Sequence, residues 1–95
     1  MAAPLSEDQI REKLKNLDGW KAEGNKLKKN YKFADFRQAI AFIVRVGFEA
    51  EDAMHHPELF NVYNNVSIQL STHDAGDQIT DKDFELAKRI DSIQS

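Results

Sequence analysis

All three histidines of the chain fall between positions 55 and 73, as His55, His56 and His73. Their setting is ordered: Glu51, three residues, His55-His56-Pro57, five residues, Tyr63, nine residues, His73, nine residues, Asp83. Histidine ordinarily titrates near pH ~6.5, so it can give or take a proton close to neutrality. Three of them in one short stretch are the chain's candidates for proton transfer. Glu51 stands about one helical turn before His55, on the same helix face. Its charge there would set a histidine tautomer or raise a histidine pKa. Plainer roles compete at each position. His55 and His56 suit a polar helix C-terminus, favoured by the helix dipole. His73 suits a surface site after a strand, Tyr63 a packing site, Glu51 a solvated helix flank, and Asp83 a helix start. A metal site built from the three histidines is the weaker chemical reading, because adjacent histidines point apart in an extended chain and rarely share one ion. The chain has no cysteine, which removes thiolate metal sites and disulfides alike.

The elements that must position these groups can be read from capping and periodicity. Ser6 with Gln9, Asp35 with Gln38 and Thr80 with Asp83 each place a capping side chain three residues before a reciprocating one. Leu5 with Ile10, and Ile79 with Phe84, supply hydrophobic staples. The first helix carries Ile10, Leu14 and Leu17 on one face and is expected to stop at Gly19. Trp20 to Phe33 reads as a hairpin turning at Gly24-Asn25. Leu27, Tyr31 and Phe33 share a face that Lys29 breaks, which suggests an edge strand. A second hairpin spans Phe60 to Thr72 with its turn at Asn64-Asn65, and Val66, Ile68 and Leu70 alternate with Ser67, Gln69 and Ser71.

The second helix should run from about Phe36 to Met54 or His55, ended by Pro57. Its stripe is Phe36, Ile40, Ile43, Gly47, Ala50 and Met54, with Phe42, Val46 and Phe48 outside it. Apolar positions thus cover about 240° of the circumference, against the ~100° that one core requires. Burial on two sides follows, with Phe42, Val46 and Phe48 expected at a subunit contact. The element order is α-β-β-α-β-β-α, an α+β fold with a four-stranded antiparallel sheet and three helices on one face.

The 95 residues make one domain, 1–95, with room for a single core. Hydrophobic residues are 41%, charged residues 31%, and the net charge is −3. A general nucleic-acid binder would need a basic face, so direct nucleic-acid binding is not expected, although lysines cluster from Lys26 to Lys32. No apolar run approaches the ~20 residues of a membrane span. Met1-Ala2-Ala3-Pro4-Leu5 lacks the basic and apolar regions of a secretory signal. The cytoplasm is the expected location, with the nucleus as a second compartment.

The spacing from Glu51 to Asp83, with Phe60-Asn61-Val62-Tyr63-Asn64 and Ser71-Thr72-His73, resembles the pterin-4a-carbinolamine dehydratase family, also known as dimerisation cofactors of a homeodomain transcription factor. The resemblance extends from Gly19-Trp20 to Leu86-Ala87. It implies a lyase that removes water from 4a-hydroxytetrahydropterin to give the quinonoid dihydropterin, in tetrahydrobiopterin recycling, without metal or organic cofactor. The 4a-hydroxyl leaves only if protonated, and the ring nitrogen that expels it must lose a proton, so one acid and one base are needed. By the same resemblance His55 and His73 form the acid/base pair, His56 orients the pterin, and Glu51 supports them. Met54, His55, His56, Pro57, Ser71, Thr72, His73 and Asp74 match substrate-contacting segments, and Trp20 matches an aromatic lining the pocket. Dimers joined through their sheets, and tetramers joined through the second helix, are implied as well.

The loop from Asp74 to Gln78 is one residue longer than the familiar form of the family and has Ala75 where a cysteine is often found. An alternative role is a protein-interaction module or transcriptional coactivator, with a transcription-factor partner docking on the second helix.

Overall fold

Ser6 opens the first helix by a reciprocal pair of bonds. Its Oγ accepts from Gln9 N at 3.1 Å, and Gln9 Oε1 accepts from Ser6 N at 2.9 Å, a complete capping box. The computed structural model describes residues 3–94; Met1, Ala2 and Ser95, at the ends of the expected domain, lie outside the described residues. Helix α1 covers Glu7–Leu14. It ends before Leu17, which packs half-buried against the core from the following turn. Gly19 lies further on at φ +80°, where an added Cβ would come within 3.0 Å of Lys29 Cε.

Strands β1 (Lys21–Glu23) and β2 (Lys26–Lys32) are joined through Gly24 and Asn25, at φ 58° and 64°. Positive φ at both central residues gives the twist that an antiparallel hairpin needs. Strands β3 (Glu58–Val62) and β4 (Asn65–Leu70) form the second hairpin. Its turn is Tyr63-Asn64, one residue earlier than expected, because Val62 pairs with Asn65. Asn64 is held to the end of β2: Phe33 N donates to Asn64 O at 2.8 Å and Asn64 Nδ2 to Phe33 O at 2.9 Å. Asn65 is thereby left for the ladder. Tyr63 sits at φ 50° and is exposed, so it is not the packing residue expected.

The sheet is antiparallel throughout, in the order β1-β2-β4-β3. Strand β2 is therefore central, although Lys29 suggested an edge. The lysine is accommodated because its stem crosses apolar surface while its head finds partners. Nζ donates to Asp18 O at 2.7 Å and Asp91 Oδ1 at 2.9 Å, and lies 4.7 Å from the centre of the Tyr31 ring.

The inner face of the sheet presents Leu27, Tyr31, Val66, Ile68 and Leu70, all buried. Helices α2 (Phe36–Ala53) and α3 (Asp81–Gln94) cover it. Fully buried aliphatic side chains of this kind stabilise by ~1.5–3 kcal/mol each. Helix α2 turns Ala39, Phe42, Val46 and Ala50 inward. Phe36, Ile40, Val44 and Phe48 face outward, and Phe48 is 70% exposed. The inner and outer arcs are thus reversed from the sequence expectation for Phe42 and Val46. Both arcs are apolar, so pattern alone does not choose between them. Ring contacts do: Phe42 meets Tyr31 at 4.7 Å and Phe33 at 4.9 Å between centroids. Among the described residues, no helix is long and apolar enough to cross a membrane.

Candidate active site

The C-terminus of α2 delivers the first two histidines. Met54 takes the left-handed conformation at φ 53°. His55 N then donates to Ala50 O at 3.0 Å and Met54 N to Glu51 O at 3.1 Å. This pair of bonds is a Schellman motif, with methionine where glycine is usual. The helix therefore stops before Pro57 can act on it. Because His55 lies beyond the helix, the one-turn relation expected between Glu51 and His55 does not apply. Glu51 instead meets His56, with Oε1 2.9 Å from Nε2.

His55 turns the other way and is almost fully buried. Its Nε2 lies 2.5 Å from Asp83 Oδ1, and Asp83 is wholly buried. The second oxygen, Oδ2, accepts from Thr80 N and from the Thr72 hydroxyl, both at 2.9 Å. Thr72 has one hydroxyl proton, so at 2.6 Å the Thr80 hydroxyl must be the donor to Thr72. Thr80 Oγ in turn accepts from Lys82 N at 3.2 Å. Every proton in this chain runs toward the carboxylate, so His55 Nε2 carries a hydrogen. Among the described residues no buried side-chain nitrogen or oxygen lacks a partner. No partner for His55 Nδ1 is found among them either, so Nδ1 is the ring nitrogen that reaches the surface cleft.

That cleft, of about 230 Å³, is lined by Met54, His55, His56, Ser71, Thr72, His73, Asp74 and Lys82. Ligand pockets for drug-sized molecules run to ~300–1,000 Å³, so this one suits a small flat ring with an edge in solvent. Three larger hollows, of about 550, 450 and 400 Å³, contain no histidine, whereas the smaller cleft gathers all three. His73 opens a short 3-10 turn, His73–Ala75, beyond β4. Its Nδ1 is 2.9 Å from Asp77 Oδ1. The Asp77 hydrogen bond, Asp77's charge and then that of Asp74 raise the His73 pKa above its ordinary value.

Seven of the residues singled out in the sequence thus meet at one cleft, and Glu51 reaches it through His56. Pro57 and Trp20 are not among its lining residues. Trp20 is buried in the core, where Nε1 donates to Asp91 Oδ2 at 3.0 Å. Sequence reasoning undervalued Asp83, read as a helix-start residue. It is one, through Thr80 N, but its other oxygen holds His55. The fixed spacing from His73 was the available signal. Lys82 was missed, and no periodicity marks it. Among the described residues, no three of His, Cys, Asp or Glu are grouped so as to hold a metal ion.

Comparison with known proteins bears on this geometry. The family described as pterin 4 alpha carbinolamine dehydratase matches residues 3–93. A protein of Opitutus terrae assigned as a pterin-4-alpha-carbinolamine dehydratase is 47% identical over 93 residues, covering 98% of this chain and 96% of that one. One from Sulfolobus acidocaldarius, assigned likewise, is 44% identical over 90 residues, 95% and 98% of the two chains. The crystal structure of a transcriptional coactivator/pterin dehydratase from Brucella melitensis superposes with a TM-score of 0.91 at 34% identity, covering 97% of this chain and 99% of that one.

Proposed function

Because this chain belongs to the pterin 4 alpha carbinolamine dehydratase family, we propose that it removes water from a 4a-hydroxytetrahydropterin to give the quinonoid dihydropterin. One observation carries the assignment of roles: His55, aimed by Asp83, turns Nδ1 toward a cleft lined also by His56 and His73. In the reaction the C4a–O bond breaks while the electron pair of the neighbouring ring nitrogen forms a C=N bond. The departing oxygen takes up a proton, and the nitrogen gives one up.

His55 is the base. With its Nε2 hydrogen donated to Asp83, the lone pair of the neutral ring stands on Nδ1, ready for the nitrogen proton. His73 is the acid. Its raised pKa keeps it protonated closer to neutrality, and with Nδ1–H directed at Asp77, Nε2–H is the proton offered to the hydroxyl. One histidine gains a proton as the other loses one, and exchange with solvent restores both. The products are water and the quinonoid dihydropterin, the species that a downstream reductase would return to tetrahydrobiopterin. His56, tethered by Glu51, orients the ring.

The outward apolar arc of α2 supports a second part of the reading, assembly of copies of the chain through that helix. The same arc suits a helix of a transcription factor. The activity is tested by stopped-flow absorbance on 4a-hydroxytetrahydropterin near pH 7, where the protein should raise the rate above the spontaneous one. General acid–base groups of this kind contribute ~10²–10⁴ each. A rate equal to the spontaneous one, with the protein folded, would sink the proposal.

A further inference from the structure

Asp77 is the second of two consecutive left-handed residues, after Gly76, at φ 59° and 76° respectively. Glycine adopts that region freely, whereas a side chain there is held under backbone strain. The loop does not need the aspartate carboxylate to keep its shape. Thr72 N donates to Gln78 O at 2.8 Å, Asp77 N to Thr72 O at 3.1 Å and Gly76 N to His73 O at 3.0 Å. The backbone closes the loop, and the carboxylate is left over. It is spent on His73.

We propose that Asp77 is a positioning residue for His73: its carboxylate accepts the Nδ1 hydrogen and so fixes the ring with Nε2 toward the cleft. The inference rests on the dehydratase reading for its consequence, but the pairing itself can be observed without substrate. The charged and titratable groups around His73 are Asp74 and Asp77 on its own loop, His55 and His56 beyond α2, and Lys82 at the start of α3. Asp77 dominates them, and its hydrogen bond and charge keep His73 protonated to higher pH.

The discriminating variant is Asp77→Asn, because asparagine tolerates the left-handed region as well as aspartate does. If Asp77 served only the loop, the variant would be silent. Histidine side-chain NMR titration should show the His73 pKa falling in Asp77→Asn and returning toward wild type in Asp77→Glu. In turnover, the high-pH limb of kcat should move to lower pH while KM changes little, so that the loss grows from pH 6 to pH 8. An unchanged His73 titration would overturn the inference, whatever the activity. A shifted titration in a protein that never accelerates dehydration would instead uphold the pairing and remove the dehydratase reading.

Discussion

Replacing Asp83 by asparagine changes one atom and should reverse a tautomer. Two donors, the Thr72 hydroxyl and Thr80 N, converge on Oδ2, and His55 Nε2 alone faces Oδ1. The asparagine carbonyl satisfies the pair of donors, so its NH₂ group falls opposite His55. Nε2 must then accept, and the ring hydrogen moves to Nδ1, the nitrogen facing the cleft. The base loses the lone pair it needs. Removal of a positioned base costs ~10²–10⁴ in rate, equivalent to about 2.7–5.4 kcal/mol on the barrier at 1.36 kcal/mol per decade. The fold suffers less. Hydrogen bonds to a charged group, worth ~1.5–3 kcal/mol, become neutral ones worth ~0.5–1.5. Three such bonds lose about 3–4.5 kcal/mol, offset in part because a buried carboxylate no longer has to be desolvated, so a net loss of about 1–3 kcal/mol is expected, lowering Tm by about 4–8 °C for each kcal/mol in a domain of this size. Stopped-flow turnover at 15 °C, on protein shown to be folded by circular dichroism, measures the rate. Nitrogen-15 shifts of the His55 ring report the tautomer. A folded Asp83→Asn protein with more than half the wild-type kcat would refute the assignment of Nδ1 as the base.

Three further outcomes follow from the packing. Val46 is fully buried, so Val46→Glu should unfold the chain, at a cost of several kcal/mol for an unpaired buried charge, as seen in a thermal melt. Phe48→Glu, on the outward arc, should leave Tm within a few degrees while reducing the mass found by light scattering, provided copies associate through α2; an unchanged mass would place the contact elsewhere. Met54→Gly relieves a left-handed backbone position, whose cost is ~1–2 kcal/mol for an ordinary side chain. Since Met54 is 72% exposed and loses little packing, Tm should rise by several degrees, and a fall would show that the side chain is holding the cleft's rim.

Local signals in the sequence carried far where a few adjacent residues decide the outcome. Ser6 and Gln9, Gly24 and Asn25, and the alternation through Val66, Ile68 and Leu70 all stand in the structure as read. Less was legible where distant groups decide. Lys29 breaks an apolar face in the sequence, yet it belongs to a central strand because Asp91, 62 residues on, receives its charge. The two apolar arcs of α2 are indistinguishable on a helical wheel, and Phe42 goes inward because Tyr31 and Phe33 are there to meet it. At the site, the histidines were visible by type and spacing. Their orientations were not, because His55 is aimed by a carboxylate 28 residues away, and Glu51 is diverted to His56 by a cap at Met54.

Asp83 has two tasks at once, as an acceptor for the first turn of α3 and as the anchor of His55. Fraying of that turn is therefore a catalytic event as well as a conformational one. When Thr80 N parts from the carboxylate, Oδ2 keeps only the Thr72 hydroxyl, and the Asp83 side chain is less firmly held against His55. On the reading of His55 as the base, the molecule is best prepared to react while this turn is closed. Local openings span the range from nearly zero to the global unfolding free energy. The hydrogen-exchange protection of the Thr80 amide accordingly reports how often the turn is open. Variants that loosen α3 far from the cleft should lower turnover once opening of this amide becomes frequent, in step with the fraction of time the turn is closed, with the affinity for pterin unchanged.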